Sequence, residues 1–146
     1  MKNIAIIGTG YVGLVSGAGI SDFGHKVTCV DISKNKIRLL NNNKIPIYEP
    51  GLDELIIRNF NQKRLKFSTN ISKSIQNSDL IFICVGTPTN IKSNEADLKY
   101  VFQVVSDIKK NLNKYKIIIT KSTVPVTTGD KIQKILTTQK NKKLFD

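Results

Sequence analysis

Short runs of apolar residues alternate along this chain with longer stretches that have a helical pattern. The apolar runs lie at residues 2–7, 26–30, 65–68, 79–85 and 116–120. The run at residues 80–85 is apolar without alternation, which is typical of a strand that is buried on both faces of a parallel sheet. We therefore predict five parallel strands.

The stretches between the strands place apolar residues three or four positions apart, as an amphipathic helix does. Gly24 is expected to end the first helix, and Ser33 to cap the second. Helices are predicted over residues 11–23, 33–41, 52–61, 71–76, 96–113 and 129–138. Strands that alternate with helices predict an α/β doubly wound sheet in the order 3-2-1-4-5, without the last strand usual in such sheets.

Length and composition exclude several classes of protein. A chain of 146 residues suits a single domain with a buried core. Its apolar runs are far shorter than the roughly 20 residues of a membrane span, and the run after Lys2 is too short for a signal peptide. We therefore expect a soluble, cytoplasmic protein without a membrane partner. Cys29 and Cys84 end apolar runs and should be buried and reduced, and their spacing predicts no metal site.

The formal net charge of +12 raises the question of a polyanionic partner. The lysines are dispersed, and no aromatic residues are interleaved with them as in surfaces that bind nucleic acid. We interpret the charge as a solvated surface and expect no nucleic acid partner. Nucleic-acid binding stays an alternative. It would be excluded if the chain bound nucleic acid only weakly and without regard to sequence, and if this binding vanished at physiological salt.

A Gly-x-Gly-x-x-Gly pattern, formed by Gly8, Gly10 and Gly13, links the first predicted strand to the first helix. Backbone amides at such a helix start suit a pyrophosphate, although a plain tight turn is the structural alternative. Asp31 ends the second strand, near the spacing expected for a ribose-binding carboxylate, although it could also cap a strand end. A 2′-phosphate would meet a like charge at Asp31, so the pattern favours NAD over NADP.

Four motifs occur in one order along the chain: GTGYVG at residues 8–13, YEPGL at 48–52, VGTP at 85–88 and KSTVPV at 121–126. Together they resemble the N-terminal domain of the UDP-glucose 6-dehydrogenases, in the wider UDP-glucose/GDP-mannose dehydrogenase family. The resemblance implies a Rossmann-type domain that binds NAD. It also implies the oxidation of a sugar C6 alcohol to a carboxylate, through a thioester on a cysteine and two hydride transfers to NAD, in nucleotide-sugar metabolism and polysaccharide biosynthesis.

The resemblance further implies roles for residues of this chain. Asp31 and Lys36 would hold the adenosine ribose, although by itself Lys36 is a solvated helix lysine. Thr87 would line the cofactor site, although its hydroxyl could instead satisfy the backbone. Thr123 would lie near the nicotinamide and help to order the water used in the chemistry. The pyrophosphate would be cradled by Gly8, Gly10, Tyr11, Val12 and Gly13.

The family's pattern continues past the position of Asp146 into a central helix and a second domain, which carry the nucleophilic cysteine and most contacts to the UDP-sugar. We therefore expect a truncated NAD-binding domain that is inactive alone and binds UDP-glucose only if the second domain is supplied. A free-standing NAD-binding or sensing module, or a decaying gene fragment, stays an alternative. The resemblance implies a homodimer only for the full-length protein.

Three local features complete the comparison with the family's pattern. Neither Cys29 nor Cys84 matches the position of the nucleophile. Thr127 stands where the motif usually has Gly, and a β-branched residue would be strained there if the backbone required a positive φ. We interpret residues 48–51, which follow one proline and contain another, as a rigid turn before a helix.

Overall fold

A five-stranded parallel sheet forms the centre of the protein, in a computed structural model that describes residues 1–90, 95–137 and 143–146. The sheet has the order β3-β2-β1-β4-β5, and every neighbouring pair is parallel. The predicted doubly wound, Rossmann-type topology is therefore confirmed. The strands are β1 (Asn3–Ile7), β2 (Lys26–Val30), β3 (Leu65–Ser68), β4 (Leu80–Ile83) and β5 (Ile117–Thr120).

Helices connect the strands wherever the structure describes the connection. They are α1 (Tyr11–Asp22), α2 (Lys34–Asn41), α3 (Leu52–Asn61), α4 (Ile71–Asn77), α5 (Lys99–Asn111) and α6 (Thr128–Leu136). Ser33 Oγ accepts a hydrogen bond from the Lys36 N–H at 3.3 Å and caps α2, as predicted. Residue 138, the predicted end of the last helix, lies outside the described residues. None of the helices described is long and apolar enough to cross a membrane.

The start of α5 differs from the prediction by three residues. Ala96 forms an antiparallel bridge with Thr89, and the Asp97 N–H donates to the Pro88 carbonyl at 2.8 Å. The Asp97 carboxylate then accepts from the Lys99 N–H at 2.9 Å. These loop contacts hold residues 96 and 97 away from helical geometry, so the helix begins at Lys99.

The two faces of the sheet bury different helices. Side chains alternate along a strand, so Ile4 and Ile6 of β1 pack with α1, α2 and α3, whereas Ala5 and Ile7 pack with α4, α5 and α6. Helices therefore cover both faces, and the carboxyl ends of the strands form an open rim. The strand order reverses between β1 and β4, which is where ligands bind in sheets of this kind.

β4 ends two residues earlier than predicted and begins one residue later. The Cys84 N–H still donates to the Ile7 carbonyl at 2.8 Å, but β1 ends at Ile7 and the chain turns away at Gly8. On the other side, the N–H groups of Lys121 and Ser122 both donate to the Ile83 carbonyl, at 2.9 and 3.1 Å. Residues 84 and 85 therefore lie beyond the regular ladder.

The outer edge of β5 pairs with the last residues of the chain. The Lys116 N–H donates to the Leu144 carbonyl at 2.8 Å, and the Ile118 N–H donates to the Asp146 carbonyl at 2.6 Å. The pairing is parallel and is limited to an isolated bridge between Lys116 and Phe145. The described residues thus form five strands, as predicted, and a short segment lies beside the fifth.

Lys116, directly before β5, is fully buried. Its Nζ donates to the Ser78 carbonyl at 2.6 Å and to the Gln76 carbonyl at 3.2 Å, at the carboxyl end of α4. A cation is favourable at that end of a helix dipole. Burial, aided by the neighbouring Lys114 ammonium, nevertheless lowers the pKa of Lys116 to about 8.

The backbone at Thr127 does not have the conformation that would strain a threonine. Thr127 is the residue before α6, with φ −82° and ψ 0°. Any L-residue adopts these angles, so the condition for strain, a positive φ, is not met at Thr127.

Candidate functional site

The glycine loop (residues 8–13) lies at the carboxyl end of β1 and opens α1. Two of its glycines are required by packing. Gly8 has φ +105°, and a Cβ there would lie 2.6 Å from the Cys84 carbonyl oxygen. A Cβ on Gly13 would lie 1.9 Å from the Gly8 carbonyl oxygen. These contacts hold the loop tightly against β4 and α1.

Gly10 differs from the other two glycines of the loop. It has φ −75°, and a Cβ there would have no protein atom within 4 Å. Protein packing therefore does not explain why this residue is glycine. A ligand that approaches the backbone closely would explain it, as the pyrophosphate does in dinucleotide-binding loops.

The amino end of α1 is open to a ligand. Gly10 precedes the helix without a side-chain cap, and the first turn has no acidic residue. The first N–H groups of a helix have no intrahelical partner, and they carry the positive end of the helix dipole. This end of α1 can therefore bind an anion such as a phosphate.

Asp31 follows β2 and lies beside the glycine loop. One carboxylate oxygen accepts from the Thr9 N–H at 3.0 Å and from the Thr9 hydroxyl at 2.7 Å. The other oxygen accepts from the Ser33 N–H at 2.9 Å. Two carboxylate oxygens offer about four lone-pair sites, so capacity remains for a hydroxyl of a ligand.

Asp31 is held in its charged form. Burial opposes ionisation, but the hydrogen bonds from Ser33 and Thr9 and the Lys36 ammonium outweigh it and keep the pKa of Asp31 below its usual value. Lys36 Nζ lies 3.8 Å from Asp31 Oδ2, so the two residues that are predicted to bind the ribose are neighbours. The pair presents a carboxylate and an ammonium to the same space.

Thr9 is a site residue that the sequence reasoning missed. Its side chain is buried, and it donates two hydrogen bonds to Asp31. The signal was available in the strand order: Ile7 pairs with Val30, so the residues after both strands are neighbours. Thr9 orients the carboxylate from the loop side.

Thr87 and Thr123 lie beside each other at the ends of β4 and β5. The Thr87 hydroxyl donates to the Thr123 carbonyl at 2.9 Å, which is the backbone role that the sequence left open. The Ser122 hydroxyl adds a second link, to the Val85 carbonyl at 2.6 Å. The two loops are thus joined at the rim, and the Thr123 side chain stays exposed.

Tyr11 and Val12 begin α1, with exposed fractions of 52% and 43%. The Tyr11 hydroxyl donates to the Glu49 carboxylate, which raises the pKa of Tyr11. Glu49 lies in the predicted turn before α3, where Gly51 has φ +78°. The exposed start of α1 is therefore linked to the YEPGL motif.

The two thiols are unsuited to nucleophilic chemistry. Cys29 and Cys84 are free and buried, as predicted. Burial raises the pKa of Cys84 to about 11 and raises the pKa of Cys29 further. Across residues 1–90, 95–137 and 143–146, no cluster of three or more His, Cys, Asp or Glu side chains could hold a metal ion.

Sequence comparison identifies a family and relatives that this chain resembles. A family model described as UDP-glucose/GDP-mannose dehydrogenase family, NAD binding domain, matches residues 2–146. UDP-glucose 6-dehydrogenase TuaD of Bacillus subtilis is 53% identical over 136 residues, which are 93% of this chain and 29% of TuaD. UDP-glucose 6-dehydrogenase of Rhizobium meliloti is 47% identical over 133 residues, which are 91% of this chain and 30% of that protein. The chain therefore spans about 30% of the length of these curated relatives.

Solved structures agree with the sequence comparison. A UDP-glucose dehydrogenase from Pyrobaculum islandicum matches 99% of this chain and 34% of its own, with a TM-score of 0.90 and 30% identity. A ternary complex of GDP-mannose dehydrogenase from Pseudomonas aeruginosa matches 92% of this chain and 31% of its own, with a TM-score of 0.87 and 36% identity. The chain belongs to the UDP-glucose/GDP-mannose dehydrogenase family and forms its NAD-binding domain.

Proposed function

We propose that this chain supplies the NAD-binding part of a UDP-glucose 6-dehydrogenase. In that reaction two hydrides leave C6 of the sugar for two NAD molecules, and water supplies the second oxygen of the new carboxylate. The names of the two curated relatives described above support UDP-glucose as the substrate. NAD accepts the hydride at its nicotinamide ring when bound.

The observation that carries the proposal is the empty space above Gly10 at the uncapped start of α1. A pyrophosphate there would accept hydrogen bonds from the first N–H groups of the helix. Asp31, with its carboxylate already oriented by Thr9, would accept from the ribose hydroxyls. Its charge would repel the 2′-phosphate of NADP, so NAD is the cofactor that fits.

For the remaining predicted residues we propose the roles that the family resemblance implies. Tyr11 and Val12 would contribute N–H groups to the pyrophosphate, together with the glycine loop. Lys36, which lies next to Asp31, would contact the same ribose. Thr87 and Thr123 would border the nicotinamide end, and Thr123 would order the reacting water.

We further propose that the chain does not oxidise UDP-glucose by itself. The thioester step implied by the family resemblance requires a thiolate, and both thiols here are buried with raised pKa values. The nucleophile and most of the sugar contacts would then come from the part of the enzyme that this chain does not supply. Dimer formation would likewise depend on that part.

Two measurements on the 146-residue chain test the proposal. Isothermal titration calorimetry with NAD and NADP should give saturable NAD binding and weaker NADP binding. Absorbance spectroscopy should detect no NADH when NAD and UDP-glucose are mixed with the chain. Absence of NAD binding would refute the cofactor role, and NADH formation would refute the requirement for a second part.

Replacement of Asp31 tests cofactor choice. Asp31→Asn should weaken NAD binding by about tenfold to a hundredfold, since a hydrogen bond to a charged group contributes about 1.5–3 kcal/mol. It should also narrow the gap between NAD and NADP, because the repulsive charge is gone. Asp79→Asn is the matched control, since Asp79 also has a lowered pKa but lies at the opposite end of the sheet. Equal effects of the two variants on NAD binding would contradict the role of Asp31.

A further inference from the structure

A side-chain hydrogen bond links the start of α1 to the YEPGL motif. The Tyr11 hydroxyl donates to Glu49, and the two residues are 38 positions apart in sequence. Tyr11 is the first residue of α1, directly after Gly10. The contact therefore reaches the place where the helix dipole and the free N–H groups face a ligand.

The loop around Glu49 is anchored independently of Tyr11. Ile45 and Ile47 pack against the apolar cluster beneath α1, and Leu52, the first residue of α3, is buried. The Leu52 N–H donates to the Glu49 carbonyl at 3.0 Å and closes the turn. The core thus sets the position of Glu49, so Glu49 can serve as a fixed point for its partner.

The Tyr11 ring, in contrast, has little support of its own. About half of it is exposed, and the space above the neighbouring Gly10 is empty. An exposed aromatic ring at a helix start can change rotamer unless a polar contact holds it. The hydrogen bond to Glu49 selects one orientation of the ring beside the anion-binding end of α1.

We propose that Glu49 is a positioning residue that fixes the Tyr11 ring as a preformed wall of the pyrophosphate site. This inference rests on the proposed NAD binding. The hydrogen bond also reduces the repulsion between the Glu49 carboxylate and a bound pyrophosphate, because the phenol proton shields the charge of the carboxylate. Fixing the wall before binding removes an ordering cost that the ligand would otherwise have to meet.

The proposal predicts how variants of Tyr11 and Glu49 compare with the wild type in their affinity for NAD. Tyr11→Phe and Glu49→Ala should each weaken NAD binding by about tenfold, which is typical for one lost positioning hydrogen bond. Glu49→Gln should bind NAD at least as well as the wild type, since its amide oxygen still accepts from Tyr11 and its negative charge is gone. The double variant Tyr11→Phe/Glu49→Ala should be no weaker than either single variant, because both remove the same contact.

Ligand fragments separate positioning from a general structural role. ADP contains the diphosphate, whereas adenosine lacks it, so the losses should appear for NAD and ADP and be absent for adenosine in NMR titrations. A loop that is merely destabilised would weaken all three ligands, would not be rescued by Glu49→Gln, and would refute the proposal.

Matched controls come from the same segment of the chain. Tyr48→Phe removes a phenol that is 90% exposed, one residue before Glu49, and Glu54→Ala removes an exposed carboxylate from the first turn of α3. Both should bind NAD like the wild type. Wild-type affinity in Tyr11→Phe and Glu49→Ala would overturn the positioning role alone, whereas a wild-type chain that fails to bind NAD would overturn the proposed function with it.

Discussion

The addition of one methyl group should leave stability nearly unchanged at Gly10 and lower it at Gly13, although both glycines lie in the same loop. In Gly10→Ala the new Cβ enters empty space, and the φ of −75° suits alanine. In Gly13→Ala the Cβ would lie 1.9 Å from the Gly8 carbonyl oxygen. Real contacts of this kind are not shorter than 3.0 Å, so the backbone of the loop must move by about 1 Å.

The free energies of unfolding follow from these contacts. For Gly10→Ala, a less favourable helix cap costs up to about 1 kcal/mol, and reduced freedom of the unfolded chain returns about 0.4–1 kcal/mol. The net change should be within about 1 kcal/mol of zero. For Gly13→Ala, moving a packed backbone costs at least about 3 kcal/mol, of which the helix propensity of alanine returns about 1 kcal/mol. This variant should therefore be about 2–4 kcal/mol less stable.

The affinity of the variants for NAD should not follow their free energy of unfolding. The methyl group of Gly10→Ala occupies the space that the pyrophosphate needs. The dissociation constant of this variant for NAD should therefore rise by about tenfold or more, although its fold is intact. Gly19→Ala is the matched control, because its Cβ also meets no atom within 4 Å but lies farther along α1. It should gain up to about 1 kcal/mol of stability and bind NAD normally.

The assay combines urea denaturation without ligand and calorimetric titration with NAD. The reasoning would be refuted if Gly10→Ala bound NAD as tightly as the wild type, since the empty space would then have no ligand. Unchanged stability of Gly13→Ala would refute the claim that the Gly8 carbonyl requires glycine at residue 13.

Two further predictions concern stability. Because burial lowers the pKa of Lys116 from 10.5 to about 8, the unfolded chain binds more protons between these pH values. The free energy of unfolding should therefore rise by up to about 3 kcal/mol from pH 8 to 10.5. In Lys116→Met, denaturation at the same pH values should show no such rise. Parallel pH profiles of the wild type and the variant would contradict this prediction. Thr127→Gly should lower stability by about 0.5–1 kcal/mol, since φ is −82° and glycine only adds freedom to the unfolded chain. Stabilisation of Thr127→Gly in the same assay would revive the idea of strain.

The prediction of the fold succeeded because its signals are local. Apolar runs indicate buried parallel strands, and the caps act over a few residues: Ser33 accepts from Lys36, and Gly24 takes φ +91° after α1. The errors occurred where distant segments intervene. β4 ends early because β1 turns away at Gly8, and α5 starts late because Ala96 pairs with Thr89.

By itself the sequence determined the strand order, because strands that alternate with helices along the chain favour this topology. It also determined the glycine loop and the acidic residue expected at the end of β2, since these lie within one strand–helix–strand unit. Only the tertiary structure decided what each residue does there. Gly13 is required by a carbonyl of the same loop, whereas a Cβ on Gly10 would meet no protein atom within 4 Å. Thr9 orients Asp31, and Glu49 holds Tyr11 across 38 positions. The contact between Glu49 and Tyr11 depends on packing between distant segments, and no spacing along the chain encodes it.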